Sequence, residues 1–178
     1  MKETNYKYAV VDLEATGANT NAKIIQIGIV LIENGVITKT YETDVNPHET
    51  LDEHIKQLTG LDDCRLQKAP EFSQIASTVY ELLKAEIFVA HNVKFDANLL
   101  AETLFWEGHE LITPRVDTVE LAQIFYPTFD RYNLGYLCEL LEIPLENAHT
   151  AIADSLATAQ LFVKIPVPFV NDNHLNLS

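Results

Sequence analysis

Three strand-like segments follow one another before any helical pattern begins, and this order constrains the fold more than any other feature of the chain. Residues 8–13 (YAVVDL) form a short apolar run with β-branched members, the pattern of a buried strand. Residues 24–32 (IIQIGIVLI) predict a second strand, turned back at Gly35. Residues 36–45 alternate Val36, Thr38 and Thr40 against Ile37, Lys39 and Tyr41, predicting a third, antiparallel strand nearer an edge. The period then changes. Leu51, Ile55 and Leu58 recur at helical spacing and Gly60 closes that helix; a second helix after Pro70 carries Phe72, Ile75, Ala76, Val79, Leu82 and Leu83 on one face. Residues 87–90 (IFVA) predict a fourth strand, and Phe95, Leu99, Leu100, Leu104 and Phe105 mark a helix running to Gly108. A short strand near Val116 leads into a helix over 119–125, followed by helices over 134–141 and 150–164. A meander of strands followed by alternating strands and helices makes one α/β domain, a mixed five-stranded sheet flanked by helices over residues 1–165. Residues 166–178, interrupted by Pro166 and Pro168, read as a C-terminal tail or linker.

Charge narrows the function. The 178 residues carry 12 Lys+Arg against 26 Asp+Glu, a formal net charge of −14, which excludes a basic protein that coats nucleic acid. Excess acid fits metal binding, repulsion from polyanions or simple solubility. Cys64 and Cys138 are far apart and form neither a disulfide framework nor a zinc-ligand spacing. The start, MKETNYKYAVVDLE, lacks the apolar region of a secretion signal, and no run of about 18 apolar residues offers a membrane span. A cytoplasmic location is expected.

The first strand ends in Asp12-Leu13-Glu14-Ala15-Thr16-Gly17. Residues two apart on a strand share a face, so Asp12 and Glu14 project together while Leu13 points away. Two carboxylates that close repel each other unless a cation sits between them, and oxygen ligands suit Mg²⁺ or Mn²⁺. Gly17 is expected to let the backbone turn sharply after this pair. The pattern D-x-E-x-x-G occurs by chance in roughly one chain of this length in twenty, and a solvated strand end would also display it.

Two further segments carry acids. His91-Asn92-Val93-Lys94-Phe95-Asp96 follows the fourth strand and puts Asp96 in the first turn of a helix whose Phe95 and Leu99 face the core. The helix dipole favours an acid there, but the C-terminal ends of strands are also where open α/β sheets bind ligands. His149-Thr150-Ala151-Ile152-Ala153-Asp154 puts His149 on a loop, Thr150 at a helix cap and Asp154 one turn on. Ala151, Ala153, Ala157 and Ala159 keep that helix slim enough to approach the sheet closely. The other histidines, His48, His54, His109 and His174, read as surface residues.

In this order, DLEATG, HNVKFD and HTAIAD together resemble the DEDD 3′–5′ exonucleases of the subgroup with histidine, the DnaQ-like enzymes that include polymerase proofreading modules. The resemblance covers about residues 6 to 164. IIQIG, QLTGL, AHNVKFDANLLAE, TPRVDTVELA and RYNLGYL add a narrower likeness to the exonuclease domain at the N-terminus of helicase-related proteins of the Gram-positive DinG type. The resemblance implies an RNase H-like fold and two divalent metal ions, Mg²⁺ or Mn²⁺, on Asp12, Glu14, Asp96 and Asp154. It also implies that His149 is the general base of phosphodiester hydrolysis. Ala15, Thr16, His91, Asn92 and Phe95 match positions that hold the terminal nucleotide; Ala15 stands where the family commonly has threonine. The implied partner is a 3′ end of single-stranded DNA, or of RNA, with a following helicase-like region or a polymerase as a further partner and no membrane. The chain has no G-x₄-G-K-[ST] phosphate loop, so no P-loop ATPase resides in it. An RNA-trimming enzyme and a non-catalytic interaction module of the same fold are the alternatives.

Overall fold

A computed structural model describes residues 6–166; the expected tail beyond Pro166, with His174, lies outside the described residues. Five strands, β1 (Lys7–Ala15), β2 (Ile24–Glu33), β3 (Val36–Asp44), β4 (Ile87–Ala90) and β5 (Arg115–Asp117), form one sheet in the order β3-β2-β1-β4-β5. β1, β2 and β3 are joined antiparallel, whereas β4 and β5 add in parallel, so the sheet is mixed. The β2–β3 turn places both Asn34 (φ 53°) and Gly35 (φ 75°) in the left-handed region, which suits the twist of a tight hairpin. The helices are α1 (Glu53–Thr59), α2 (Asp63–Leu66), α3 (Phe72–Leu83), α4 (Val93–Trp106), α5 (Thr118–Phe125), α6 (Leu134–Leu140) and α7 (Ala151–Lys164).

The alternation of β1 sets the two faces. Ala9, Val11 and Leu13 join Ile27 and Ile29 of β2 against Ala76, Val79 and Leu83 of α3 and Ala97, Leu100 and Leu104 of α4. Tyr8 and Val10 point the other way, with Val30 and Ile32, onto Ala159 and Phe162 of α7. Even-numbered residues of β1 therefore face α7, and Asp12 and Glu14 continue that row at the strand's end. A third cluster packs α5 and α6 on the far side of α7 through Ala122, Leu137, Cys138, Ala157 and Leu161.

Several local expectations are corrected. Leu51 is buried but precedes α1, and Leu58 turns to solvent while Thr59 faces inward. The short helix α2 escaped the periodic reading because four residues are too few to show one. Phe105 is exposed at the end of α4, whose buried side is Val93, Ala97, Leu100 and Leu104. Gly17 is not in the left-handed region, so its sharp-turn role is not required by the backbone.

Candidate active site

The site begins where β1 outruns β4. Pairing with β4 stops at Val10, so the next stretch of β1 has one edge free. Asp96 fills that edge: its Oδ1 accepts the Leu13 backbone N–H at 3.0 Å, and the residue is only 6% exposed. α4, which carries Asp96, is fixed at its start by Asp117 at the end of β5. The Asp117 carboxylate accepts the N–H groups of Asn92 (3.0 Å), Val93 (3.1 Å) and Val119 (2.9 Å), tying the starts of α4 and α5 together. Asn92 takes a left-handed turn (φ 72°) at that junction.

α7 supplies the opposite wall. Gly28 on β2 lies so close to α7 that an added Cβ would stand 2.2 Å from the Ala151 carbonyl oxygen. The Ser155 hydroxyl donates to the Gly28 carbonyl at 2.9 Å. Ala151, Ala157 and Ala159 are fully buried, as a close approach to the sheet demands, and Ala153 is half-buried. Thr150 occupies the cap position, yet its hydroxyl donates to the Asn147 carbonyl and not to the helix. The Ala151 N–H is met instead by Gln26 Oε1 of β2, at 2.8 Å.

This seating turns Asp154 toward β1. One carboxylate oxygen from each of Asp12, Glu14 and Asp154 lies within 4.8 Å of the others. Asp96 borders the trio at the free edge of β1, where its Oδ1 accepts the N–H of the residue between Asp12 and Glu14. His149 stands on the loop before α7, exposed, in a left-handed conformation (φ 68°), and its backbone N–H donates to Asp154 Oδ2 at 3.2 Å.

Electrostatics make the cluster costly. Burial, reinforced by the charges of Asp96, Asp154 and Glu14, pushes the Asp12 carboxyl well above the usual carboxylate range. Burial, then the charges of Asp154 and Asp96, pushes Glu14 up to about 8. Asp96 is raised to about 7 by burial, against the pull of the Leu13 N–H, and Asp154 is also raised by burial. Among the described residues no ion pair includes any of the four acids. Asp154 Oδ1 is buried without a hydrogen-bond partner. An unpartnered oxygen among like charges is a site that a hard divalent cation would complete. The donor set therefore fits a divalent metal.

The other sequence candidates lie around this centre. Ala15 is buried at the end of β1. Thr16 pins the following loop: its N–H donates to the Lys23 carbonyl (2.9 Å), and its hydroxyl accepts the Lys23 N–H (3.1 Å). Asn92 is exposed and Phe95 is half-buried beside Asp96. His91 differs from the expectation of a free nucleotide contact. Its Nδ1 meets the Thr118 hydroxyl and its Nε2 the Tyr132 carbonyl, each at 2.8 Å, so both ring nitrogens are spent inside the protein. Burial lowers its pKa, favouring the neutral ring. Of the remaining histidines, His48 and His54 are exposed, while His109 is half-buried, bonded to Ser77 and stacked on Tyr80.

A family model for exonucleases of the RNase T type matches residues 9–162, a span that contains every acid of the cluster. The chain belongs to that exonuclease family. It is 42% identical over 160 residues to a protein of Staphylococcus haemolyticus named 3′-5′ exonuclease DinG, a match covering 88% of this chain but only 18% of that relative. The fold of this exonuclease-family chain recurs in the nuclease domain of 3′hExo, a DEDDh family member bound to rAMP. That likeness has a TM-score of 0.78 at 17% identity and covers 93% of this chain and 94% of the other. It recurs also in E. coli exonuclease I in complex with a dT13 oligonucleotide, with a TM-score of 0.79 at 16% identity, over 89% of this chain and 40% of that one. The mixed sheet flanked by helices is thus the RNase H-like fold of the DEDDh exonucleases.

Three residues that hold this acidic cluster together were missed in the sequence. Gly28 and Gln26 interrupt an otherwise apolar strand, and a glycine in such a run signals a close backbone approach. Asp117 precedes Thr118-Val119-Glu120, a helix-start pattern that marks it as a cap.

Proposed function

We propose that this domain hydrolyses nucleic acid from its 3′ end, releasing nucleotides one at a time, with single-stranded DNA as the preferred substrate. The observation that carries the reading is the convergence of Asp12, Glu14 and Asp154 within 4.8 Å around an unpartnered Asp154 oxygen. Asp12, Glu14, Asp96 and Asp154 would hold two divalent ions, Mg²⁺ or Mn²⁺, which when bound supply positive charge to the scissile phosphate and lower the pKa of water. His149, exposed on its loop, takes the proton of the attacking water. Thr16 and Asn92 orient the terminal nucleotide, beside Ala15 and Phe95, and His91 holds the loop at Tyr132 against the start of α5.

With 26 acids against 12 basic residues the domain grips only the last few nucleotides, so sustained digestion relies on a tethered partner. The chain spans less than a fifth of the length of the relative it matches at 42% identity, and a helicase-like region is the partner we assign. Among the described residues no helix is long and apolar enough to cross a membrane, and Cys64 and Cys138 are free thiols, which suits the cytoplasm.

Single-stranded DNA and RNA labelled at either end, incubated with Mg²⁺ or Mn²⁺, test the reading. Immediate release of a labelled mononucleotide from 3′-labelled DNA, with 5′-labelled strands shortened stepwise and Asp12→Ala inert, is expected. No cleavage with either metal would favour a binding module, and preference for RNA would favour the RNA-trimming alternative.

A further inference from the structure

Gln26 is a buried amide inside a strand whose neighbours on either side, Ile25 and Ile27, are fully buried and apolar. In register it stands opposite Glu14 of β1 and opposite Asp44 of β3, so the three side chains form one row on the face that α7 covers. Its Nε2 donates to Asp44 Oδ1 at 2.9 Å. An ionised carboxylate only accepts, so this bond fixes which way the amide points and leaves Oε1 toward the Ala151 N–H. Asp44 is in turn gripped by the Arg65 guanidinium of α2 through two bonds, at 2.6 and 2.8 Å. Such a fork sets the orientation of a carboxylate as well as its place.

The end of this chain of bonds is the first residue of α7. Ala151 stands two residues after His149 and three before Asp154, and its N–H is one of the donors that a helix start leaves without a partner. Gly28 acts as a steric stop that sets how near α7 comes to the sheet. A stop does not set the direction of the helix; directional hydrogen bonds do, here from the Ser155 hydroxyl to the Gly28 carbonyl and, at the helix start, from the Ala151 N–H to Gln26. We infer that Gln26, oriented by Asp44 and Arg65, is a positioning residue that sets the posture of Asp154 and of the His149 turn through the backbone of Ala151. This rests on the metal-centre reading above. Arg65, half-exposed on α2, thereby becomes a surface residue that bears on the site.

Mn²⁺ binding followed by the electron paramagnetic resonance of the free ion, with steady-state cleavage of a single-stranded oligonucleotide, tests it on the full chain. Gln26→Leu keeps the size and apolar setting of the strand while removing both bonds. We expect its Mn²⁺ dissociation constant to rise about tenfold, the scale on which partners of metal ligands act. kcat should fall with it, with KM for the oligonucleotide within about twofold of wild type. A merely structural residue would lower the melting temperature in EDTA and leave Mn²⁺ affinity alone. Asp44→Ala and Arg65→Met, at the surface end, should weaken Mn²⁺ binding in the same direction by a smaller factor, and they keep the test decisive if Gln26→Leu folds poorly. Wild-type binding that is matched by Gln26→Leu and Arg65→Met overturns the positioning role alone. Failure of the wild type to bind Mn²⁺ overturns the metal-centre reading, and this inference with it.

Discussion

Asp96 and Leu13 are bonded across the layers of the fold: a carboxylate from α4 accepts the backbone N–H of the residue between Asp12 and Glu14, at 3.0 Å. The bond separates two roles of one side chain. Asp96→Asn keeps an acceptor for Leu13 and removes the charge, so its stability in EDTA should match or exceed that of wild type, since a repulsive charge is gone. Its activity should fall by more than about 100-fold, beyond the loss typical of outer partners of metal ligands. Asp96→Ala strands the buried N–H as well and should cost about 1–3 kcal/mol. Thermal melts in EDTA beside oligonucleotide cleavage check both, and an active Asp96→Asn would remove Asp96 from the metal centre.

The raised carboxyls make stability depend on pH in a defined direction. Glu14 sits at about 8 and Asp96 at about 7, with Asp12 also well above its usual range, all mainly through burial. In the unfolded chain these groups lose their protons near pH 4. Between those limits the folded state holds more protons than the unfolded one, so stability falls as pH rises. His91 works in the opposite sense, because its lowered pKa favours the folded state as pH climbs toward about 6.5. From pH 6.5 to 8.5 the acids outweigh His91, while Cys138, pushed up to about 11 by burial, adds to the same fall at the top of the window, and the melting temperature in EDTA should drop across it. Saturating Mg²⁺ or Mn²⁺, at about 100 times Kd, should restore roughly 2.7 kcal/mol, with the larger gain at pH 8.5. A flat or rising melting temperature in EDTA would contradict the charged cluster.

Gly28 and Gly17 make a matched pair. An added Cβ at Gly28 meets the Ala151 carbonyl oxygen at 2.2 Å, whereas at Gly17 it meets only Asn19 Nδ2, at 3.6 Å. Gly28→Ala should therefore push α7 off the sheet, cost about 1–3 kcal/mol and reduce cleavage sharply. Gly17→Ala should stay within about 0.5 kcal/mol of wild type. Melting temperatures of the two variants decide the matter, and equal values would mean that α7 does not rest where Gly28 is.

What could be read in advance follows from how local each signal is. Strand order and the shared face of Asp12 and Glu14 depend on period 2 and were legible in residues 8–14. From local pattern the acids Asp96 and Asp154 were legible only as types near element ends; the family resemblance grouped them with Asp12 and Glu14, whereas the bond from Leu13 to Asp96 joins residues 83 positions apart and no local period shows it. His91 reads as a contact to the terminal nucleotide until the fold brings Thr118 and the Tyr132 carbonyl to its two nitrogens. The cap of α7 shows the same limit: Thr150 fits the local pattern, yet Gln26, 125 residues away, supplies the bond.

His149 offers the cleanest separation of chemistry from structure. Its backbone is left-handed (φ 68°) and donates to Asp154, while its side chain is exposed. Alanine would disfavour that conformation and disturb the turn; asparagine tolerates it and carries no group that takes a proton near neutrality. His149→Asn should keep the wild-type melting temperature in EDTA to within about 0.5 kcal/mol and keep its shift on adding Mn²⁺. Its kcat should drop by about 10²–10⁴, the scale of general-base catalysis. Retained metal stabilisation with lost turnover assigns the proton transfer to the imidazole. Loss of both would make His149 part of the metal centre, and full turnover would end its role as the base.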